Sequence, residues 1–224
     1  MISSRSSHAR PFPGSELLLL LLLLLLLLSS HATAATPPPL FRQCDARWGE
    51  ATMGTPGNGE RSTICREGCA MSCVAMALAS HGFAVPCPPP RLRCPPDPGT
   101  LNAWLQAHGG YHCAGGDCNN LVLTAPDALT GGRMRLIGEW DISAVASSAK
   151  INNNTTSLVR GVTTGEVVFL AHVHNPEIGG HPVDHFVLLD SVDLATNSFG
   201  VRDPYCACSS SLCAFFWGLT GSCC

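Results

Sequence analysis

Charged side chains are scarce in this chain of 224 residues, because Asp, Glu, Lys and Arg together make up only 13% of it. Globular proteins usually contain about 25%. The 13 basic residues stand against 16 acidic ones, so the formal net charge is −3. A nucleic-acid-binding protein normally has a basic excess gathered on one face. The composition therefore argues against nucleic acid as a partner.

The sequence also lacks any second long apolar run beyond residues 17–28, which are 12 consecutive leucines. Arg5 and Arg10 precede this run, and the small residues 32–35 follow it. A basic, an apolar and a small-residue segment in this order are typical of a secretory signal peptide. A transmembrane anchor, which is the alternative, needs about 20 apolar residues. We therefore predict a signal peptide at 1–34, a secreted or secretory-pathway protein, and no stable membrane span after cleavage.

Cysteine, in contrast, is abundant, with 13 in the chain. So many thiols favour an oxidising compartment, where disulfides persist. Because 13 is an odd number, at least one thiol has no partner within the chain, and we expect up to six disulfides and one free thiol. Cys87 and Cys94 lie in a proline-rich loop and are a plausible pair, and Cys113 and Cys118 bracket a glycine turn.

The residues after the signal peptide divide into three segments. Residues 35–41 form a Pro-rich leader that is too short for an obvious pro-segment, so we expect redox state or pH to control any activity. Residues 42–205 form the folded domain, and residues 206–224 are a Cys-rich tail that disulfides would hold. Overlapping sequons begin at Asn153 and Asn154, and they favour a glycosylated surface loop.

The pattern of the domain predicts helices first and strands later, which is typical of an α+β fold. Residues 69–81 contain no Gly or Pro and are apolar all round, so we expect a buried helix there. Thr100 can cap a second helix that Gly109 and Gly110 close. A short strand is possible at 136–140. The last third contains β-branched and aromatic runs, which predict strands at 166–174, 185–192 and 199–202.

Cys69 is the thiol with the clearest chemical role in this pattern. It opens the buried helix, where backbone N–H groups and the positive end of the helix dipole stabilise a thiolate. A nucleophile of this kind needs a neighbouring base and a third group that orients the base. His185 begins one predicted strand and Asp203 ends the next, so the two side chains can meet. Cys65 and Cys73 are the rival candidates for the free thiol.

Six short stretches resemble papain-like cysteine peptidases, and most closely the group related to the bacteriocin-processing (double-glycine leader) peptidases. In that group a Gln-x-Asp-x-x-Trp-Gly stretch precedes Gly-Cys and a helix that ends in Ala-Met-x-Leu. A middle helix, a His strand and an Asp-Pro motif follow. The matching stretches are 43–49 (QCDARWG), 63–72 (TICREGCAMS), 74–78 (VAMAL), 98–105 (PGTLNAWL), 184–189 (DHFVLL) and 201–205 (VRDPY).

The resemblance implies a papain-like fold, in which the buried N-terminal helix carrying the Cys packs on a C-terminal antiparallel sheet. It implies that Cys69 is the nucleophile, His185 the general base and later the acid, Asp203 the residue that orients the imidazole, and Gln43 a donor to the oxyanion. The implied reaction is peptide-bond hydrolysis through an acyl-thioester by a monomer without a cofactor, on a peptide or protein substrate. Ala70 departs from the family, which usually has Gly or a small polar residue after the Cys.

Three other interpretations of the chain stay open. The domain could be a catalytically silent, disulfide-stapled extracellular binding module, or a thiol acyltransferase or amidase that uses the same triad. A zinc site could also form from His172, His174 and His181. The cysteines of the tail do not follow the spacing of zinc ligands, so we expect them to form disulfides. The histidine site is a minor alternative, and the prediction for the chain is no metal.

Overall fold

The computed structural model describes residues 37–55, 62–87, 89–138, 160–173, 177–178, 181–182, 184–193, 195, 198–205 and 220–221. All of them belong to one compact unit, Ala35–Cys224. The predicted signal peptide, both sequons and most of the Cys-rich tail lie outside the described residues. Among the described residues, no helix has the length and apolar character that a membrane crossing requires.

The fold combines helices with small sheets, which confirms the α+β prediction. The helices are α1 (Ile64–Glu67), α2 (Cys69–Ser80), α3 (Pro98–Ala107) and α4 (Ala125–Thr130). Residues 160–164 are also helical. The strands are β1 (Val85–Pro86), β2 (Arg93–Cys94), β3 (Tyr111–Ala114), β4 (Asp117–Leu121), β5 (Phe169–Val173), β6 (Glu177–Ile178), β7 (His181–Pro182), β8 (His185–Asp193), β9 (Ser198–Arg202) and β10 (Thr220–Gly221).

Helix α2 is the centre of the fold, and nine of its twelve residues are buried. It ends at Ser80, one residue before the predicted end, and Gly82 then adopts a φ of +68° that favours glycine. One side of the helix packs on the sheet, where Cys73 and Met76 join Leu188 in a buried cluster. The prediction of a helix that is buried on most sides is confirmed.

The largest sheet has the strand order β10-β9-β8-β5. Strand β8 pairs antiparallel with both β5 and β9, while β10 pairs parallel with β9. The three strands predicted in the last third are therefore present. The three predicted strands pair antiparallel, as expected, whereas strand β10 was not predicted and pairs parallel with β9.

A second apolar cluster joins α2 to α3 and to the segment before α1. Trp48 is 4% exposed and Trp104 is 8% exposed, and both lie in this cluster. Beside it, the buried Tyr111 hydroxyl donates a hydrogen bond to Asn102 Oδ1 at 2.8 Å, and Asn102 Nδ2 donates to the Thr52 carbonyl at 2.9 Å. Both tryptophans are therefore core residues.

Three disulfides lie in the described residues: Cys44–Cys65, Cys87–Cys94 and Cys113–Cys118. Cys69 and Cys73 are both free thiols. The sequence predicted at least one free thiol and up to six disulfides, and the described residues contain a second free thiol, Cys73. Two free thiols among the 13 cysteines allow at most five disulfides within the chain.

Two local predictions are wrong. Helix α3 begins at Pro98, two residues before Thr100, because Asp97 is its N-cap and its carboxylate accepts a hydrogen bond from the Thr100 N–H at 2.9 Å. Pro98 then takes the first helical position, which needs no N–H donor. The described part of the predicted strand at 136–140 is not a strand, since residues 136–138 have no strand partner.

Candidate active site

Cys69 is the first residue of α2, and its side chain is partly exposed. The first turn of a helix has N–H groups without partners inside the helix, so the start of α2 is a favourable place for a negative charge. Gly68 precedes it with a φ of −85°, a backbone angle that any residue can adopt. A Cβ at Gly68 would instead lie 2.5 Å from the Ile64 carbonyl oxygen. Position 68 needs glycine because the backbone there passes close to the Ile64 carbonyl. This close approach lets the chain turn directly from α1 into α2.

Replacing Gly68 by alanine should lower the free energy of unfolding by about 1–3 kcal/mol, because a backbone carbonyl cannot move aside as a side chain can. Urea denaturation measures this change. The displaced turn should also slow the alkylation of Cys69. Gly109→Ala is the control, since a Cβ there meets nothing within 4 Å although φ is +67°. Gly109→Ala should lower the free energy of unfolding by about 1–2 kcal/mol and leave the alkylation rate of Cys69 unchanged. A slower rate in this control would contradict the steric explanation.

The pairing of β8 with β9 brings His185 to Asp203. Leu188 lies opposite Arg202 and Leu189 opposite Val201. The same register, continued past the end of β9, places Asp203 opposite position 187. Position 187 is two residues after His185, so the side chains of His185 and Asp203 lie on the same face of the sheet. The two side chains meet there, with His185 Nε2 2.7 Å from Asp203 Oδ1.

Asp203 is held from a second direction by the backbone. The Tyr205 N–H donates a hydrogen bond to the same Oδ1 atom at 2.8 Å. The ring of Tyr205 also lies edge-on to the imidazole of His185, with the ring centroids 6.2 Å apart. Sequence reasoning missed this contribution of Tyr205, since a backbone donor leaves no signal in residue identity.

His185 is almost fully buried, with 4% of its surface exposed. Burial by itself lowers the pKa of its imidazole. The hydrogen bonds to Asp203 and to Cys69, together with the charges of both residues, outweigh burial and raise the pKa to about 9. His185 is therefore an imidazolium at neutral pH, and a positive charge beside a sulfur stabilises negative charge on it.

Gln43 is buried beside the start of α2, with 2% of its surface exposed. Its Nε2 donates a hydrogen bond to the Cys65 carbonyl at 2.7 Å, and its backbone N–H donates to the Pro204 carbonyl at 2.8 Å. Its Oε1 has no hydrogen-bond partner among the described residues. Gln43 thus contacts the residue next to Asp203 and the segment that leads to Cys69.

The two rival thiols are unsuited to nucleophilic chemistry. Cys65 is bonded to Cys44. Cys73 lies one helical turn after Cys69 and is completely buried, so burial raises the pKa of its thiol well above the usual value. Its Sγ is 3.5 Å from the carbonyl oxygen of Phe186. Among the three candidate thiols, only Cys69 is both free and accessible.

The histidines of the possible zinc site are not shown to converge. His172 stacks on Phe186 with ring centroids 4.4 Å apart, and its Nε2 is 3.7 Å from Asp184 Oδ1. His174 and the side chain of His181 lie outside the described part of the chain. Within that part, no group of three or more His, Cys, Asp or Glu side chains could hold a metal ion.

The comparisons with known proteins give no independent guide to this site. No protein-family model matches the chain, and no curated protein and no solved structure is significantly similar to it.

Proposed function

We propose that this chain is a secreted, papain-like cysteine peptidase that hydrolyses peptide bonds. The observation that supports this most strongly is the position of His185, which is hydrogen-bonded to Asp203 at 2.7 Å and whose pKa is raised by both Asp203 and Cys69. A partly exposed thiol, a base and a residue that orients the base are the parts that nucleophilic catalysis requires. The disulfides and the lack of a membrane-spanning helix among the described residues are compatible with an extracellular protein.

In the first step the Cys69 sulfur, whose proton His185 has taken as the base, attacks the carbonyl carbon of the scissile peptide bond. The carbonyl oxygen becomes an oxyanion, to which Gln43 Nε2 and the backbone N–H of Cys69 would donate hydrogen bonds. One amide hydrogen of Gln43 is already bound to the Cys65 carbonyl, which leaves the second for the substrate. A donor aimed at a developing oxyanion contributes about 10²–10³-fold to kcat.

In the second step the C–N bond breaks, and His185 gives its proton to the departing amine. The acyl group stays on Cys69 as a thioester. His185, now neutral, takes a proton from water, and the hydroxide attacks the thioester carbonyl. The C–S bond then breaks with its electron pair returning to the Cys69 sulfur, and the carboxylic product leaves, while Asp203 keeps the imidazole in one orientation throughout.

Alkylation with iodoacetamide tests this function directly on the folded, secreted protein. Reagent in slight excess should label Cys69 and leave the buried Cys73 unlabelled. The rate at which the protein cleaves a peptide library should fall in proportion to the labelled fraction of Cys69. Mass spectrometry of the digested protein identifies the modified residue. A library that remains uncleaved by the unlabelled protein would contradict the proposal and favour a silent binding module, as would Cys69 found in a disulfide.

Hydrolysis and acyl transfer share the same thioester and separate only in the second half of the reaction. An added amine competes with water for the acyl group, so the ratio of transamidated to hydrolysed product identifies the natural acceptor. We expect mainly hydrolysed product at moderate amine concentration. Mainly transamidated product would instead identify a thiol acyltransferase.

A further inference from the structure

The Cys44–Cys65 disulfide is connected to Gln43 in two ways. Cys44 directly follows Gln43 in the chain, and the Cys65 carbonyl accepts the Gln43 amide hydrogen at 2.7 Å. The covalent bond therefore joins the backbone next to Gln43 to the residue that holds its side chain. Breaking the disulfide would allow the donor and its acceptor to separate.

Away from the disulfide, hydrogen bonds alone connect the segment that follows Gln43 to the segment around Cys65. The Cys65 N–H donates to the Gly49 carbonyl at 2.9 Å, and the Ile64 N–H donates to the Ala51 carbonyl at 3.0 Å. Such bonds exchange with water at a small net change in free energy. The disulfide is thus the one covalent cross-link between these two segments in the described residues.

The other two disulfides in the described residues have only local roles. Cys87 and Cys94 are seven positions apart and join β1 to β2, and Cys113 and Cys118 are five positions apart and join β3 to β4. These four strands contain none of the residues of the candidate active site. They therefore supply matched controls for the loss of a disulfide.

We propose that the Cys44–Cys65 disulfide is a positioning element for Gln43. It keeps one amide hydrogen of Gln43 on the Cys65 carbonyl and so directs the second at the substrate oxyanion. This inference rests on the proposed function and adds a requirement to it. The site needs opposite oxidation states in two places, because Cys69 must be a free thiol while Cys44 and Cys65 must be bonded.

Removal of each disulfide in the full-length secreted protein tests the positioning role. The variant Cys44→Ala/Cys65→Ala should lose about 10²–10³-fold in kcat, as expected for a misplaced oxyanion donor, while KM stays within about threefold. The control Cys87→Ala/Cys94→Ala should keep kcat within about twofold, because its strands are outside the site. A Cys44→Ala/Cys65→Ala variant with the wild-type kcat would overturn the proposal.

A double-mutant cycle separates positioning from general loss of structure. If the disulfide acts through Gln43, adding Gln43→Ala to Cys44→Ala/Cys65→Ala should lower kcat no further than Gln43→Ala does alone. The rate of Cys69 alkylation should also stay at the wild-type value, because the pairing of His185 with Asp203 is untouched. Losses in kcat that multiply would show that the disulfide does not act through Gln43.

Hydrogen–deuterium exchange gives a result that does not depend on activity. The backbone amides of Gln43 and Cys65 should exchange faster in the Cys44→Ala/Cys65→Ala variant and at the wild-type rate in the Cys87→Ala/Cys94→Ala control. A wild-type protein that cleaves no peptide would refute the proposed function alone, and exchange would still decide whether the disulfide fixes Gln43. Unchanged protection of both amides would overturn the positioning role.

Discussion

Replacing Cys69 by serine should lower kcat/KM for peptide cleavage by at least about 10⁴-fold, because a hydroxyl does not ionise where a thiol does. The replaced atom is the one that forms the thioester, so no neighbouring group can substitute for it. Steady-state kinetics on a peptide taken from the library gives the ratio. The free energy of unfolding should change little, since the side chain is partly exposed.

Cys73 provides the matched control for this loss of activity. It is the other free thiol of α2 and is completely buried. Cys73→Ala should leave kcat unchanged and lower the free energy of unfolding by about 1–2 kcal/mol, because its sulfur packs against the sheet. If Cys73→Ala abolished cleavage and Cys69→Ser did not, the nucleophile would be wrongly assigned.

Replacing Asp203 by alanine should lower kcat by about 10²–10⁴-fold, since the imidazole of His185 then loses its orientation and its charged partner. Asp203→Asn separates these two contributions. The amide oxygen can still accept the hydrogen bond from His185 Nε2, but the negative charge is gone. We therefore expect Asp203→Asn to retain more activity than Asp203→Ala.

The pH dependence of activity should reveal the loss of the Asp203 charge in Asp203→Asn. In the wild type the pKa of His185 is raised to about 9, so kcat/KM should fall above that pH as the imidazolium deprotonates. In Asp203→Asn this basic limb should move to lower pH. An unmoved limb would mean that another group titrates there.

The same pKa shift makes stability depend on pH. A rise from 6.5 to about 9 corresponds to about 3 kcal/mol. Because the folded state raises the pKa of His185, this stabilisation is complete below pH 6.5 and is lost as the pH rises through 9. Denaturation curves should show that the free energy of unfolding falls more between pH 6 and pH 9.5 for the wild type than for Asp203→Ala. Equal falls would contradict the raised pKa.

The sequence was sufficient to predict the elements whose signals are local. A run without Gly or Pro that ends near Gly82 identifies α2 to within one residue, and the short loop between Cys87 and Cys94 suggests their disulfide. The start of α3 was misplaced because Asp97 and Thr100 are both good capping residues. Pro98 was the deciding signal, since proline is favoured at the first helical position.

The remaining features depend on contacts between distant parts of the chain. The apolar residues Leu136 and Ile137 suggested a strand but are exposed, because a strand also needs a partner that the pattern does not specify. Cysteine parity requires one free thiol and cannot reveal that Cys73 is a second. Sequence patterns placed Gln43 in the site only by resemblance, and its acceptor is a backbone carbonyl that any residue at position 65 would supply.

The wide separation of the site residues along the chain has a consequence for biosynthesis. His185 is synthesised 116 residues after Cys69, which takes roughly 6–23 s at 5–20 residues per second. During this time β8 is absent, so the sheet that covers Cys73 in the finished protein cannot yet form. Four thiols between positions 44 and 73 can therefore pair wrongly in an oxidising compartment, on the timescale at which disulfides form. We expect the nascent chain to depend on disulfide isomerisation until the sheet closes.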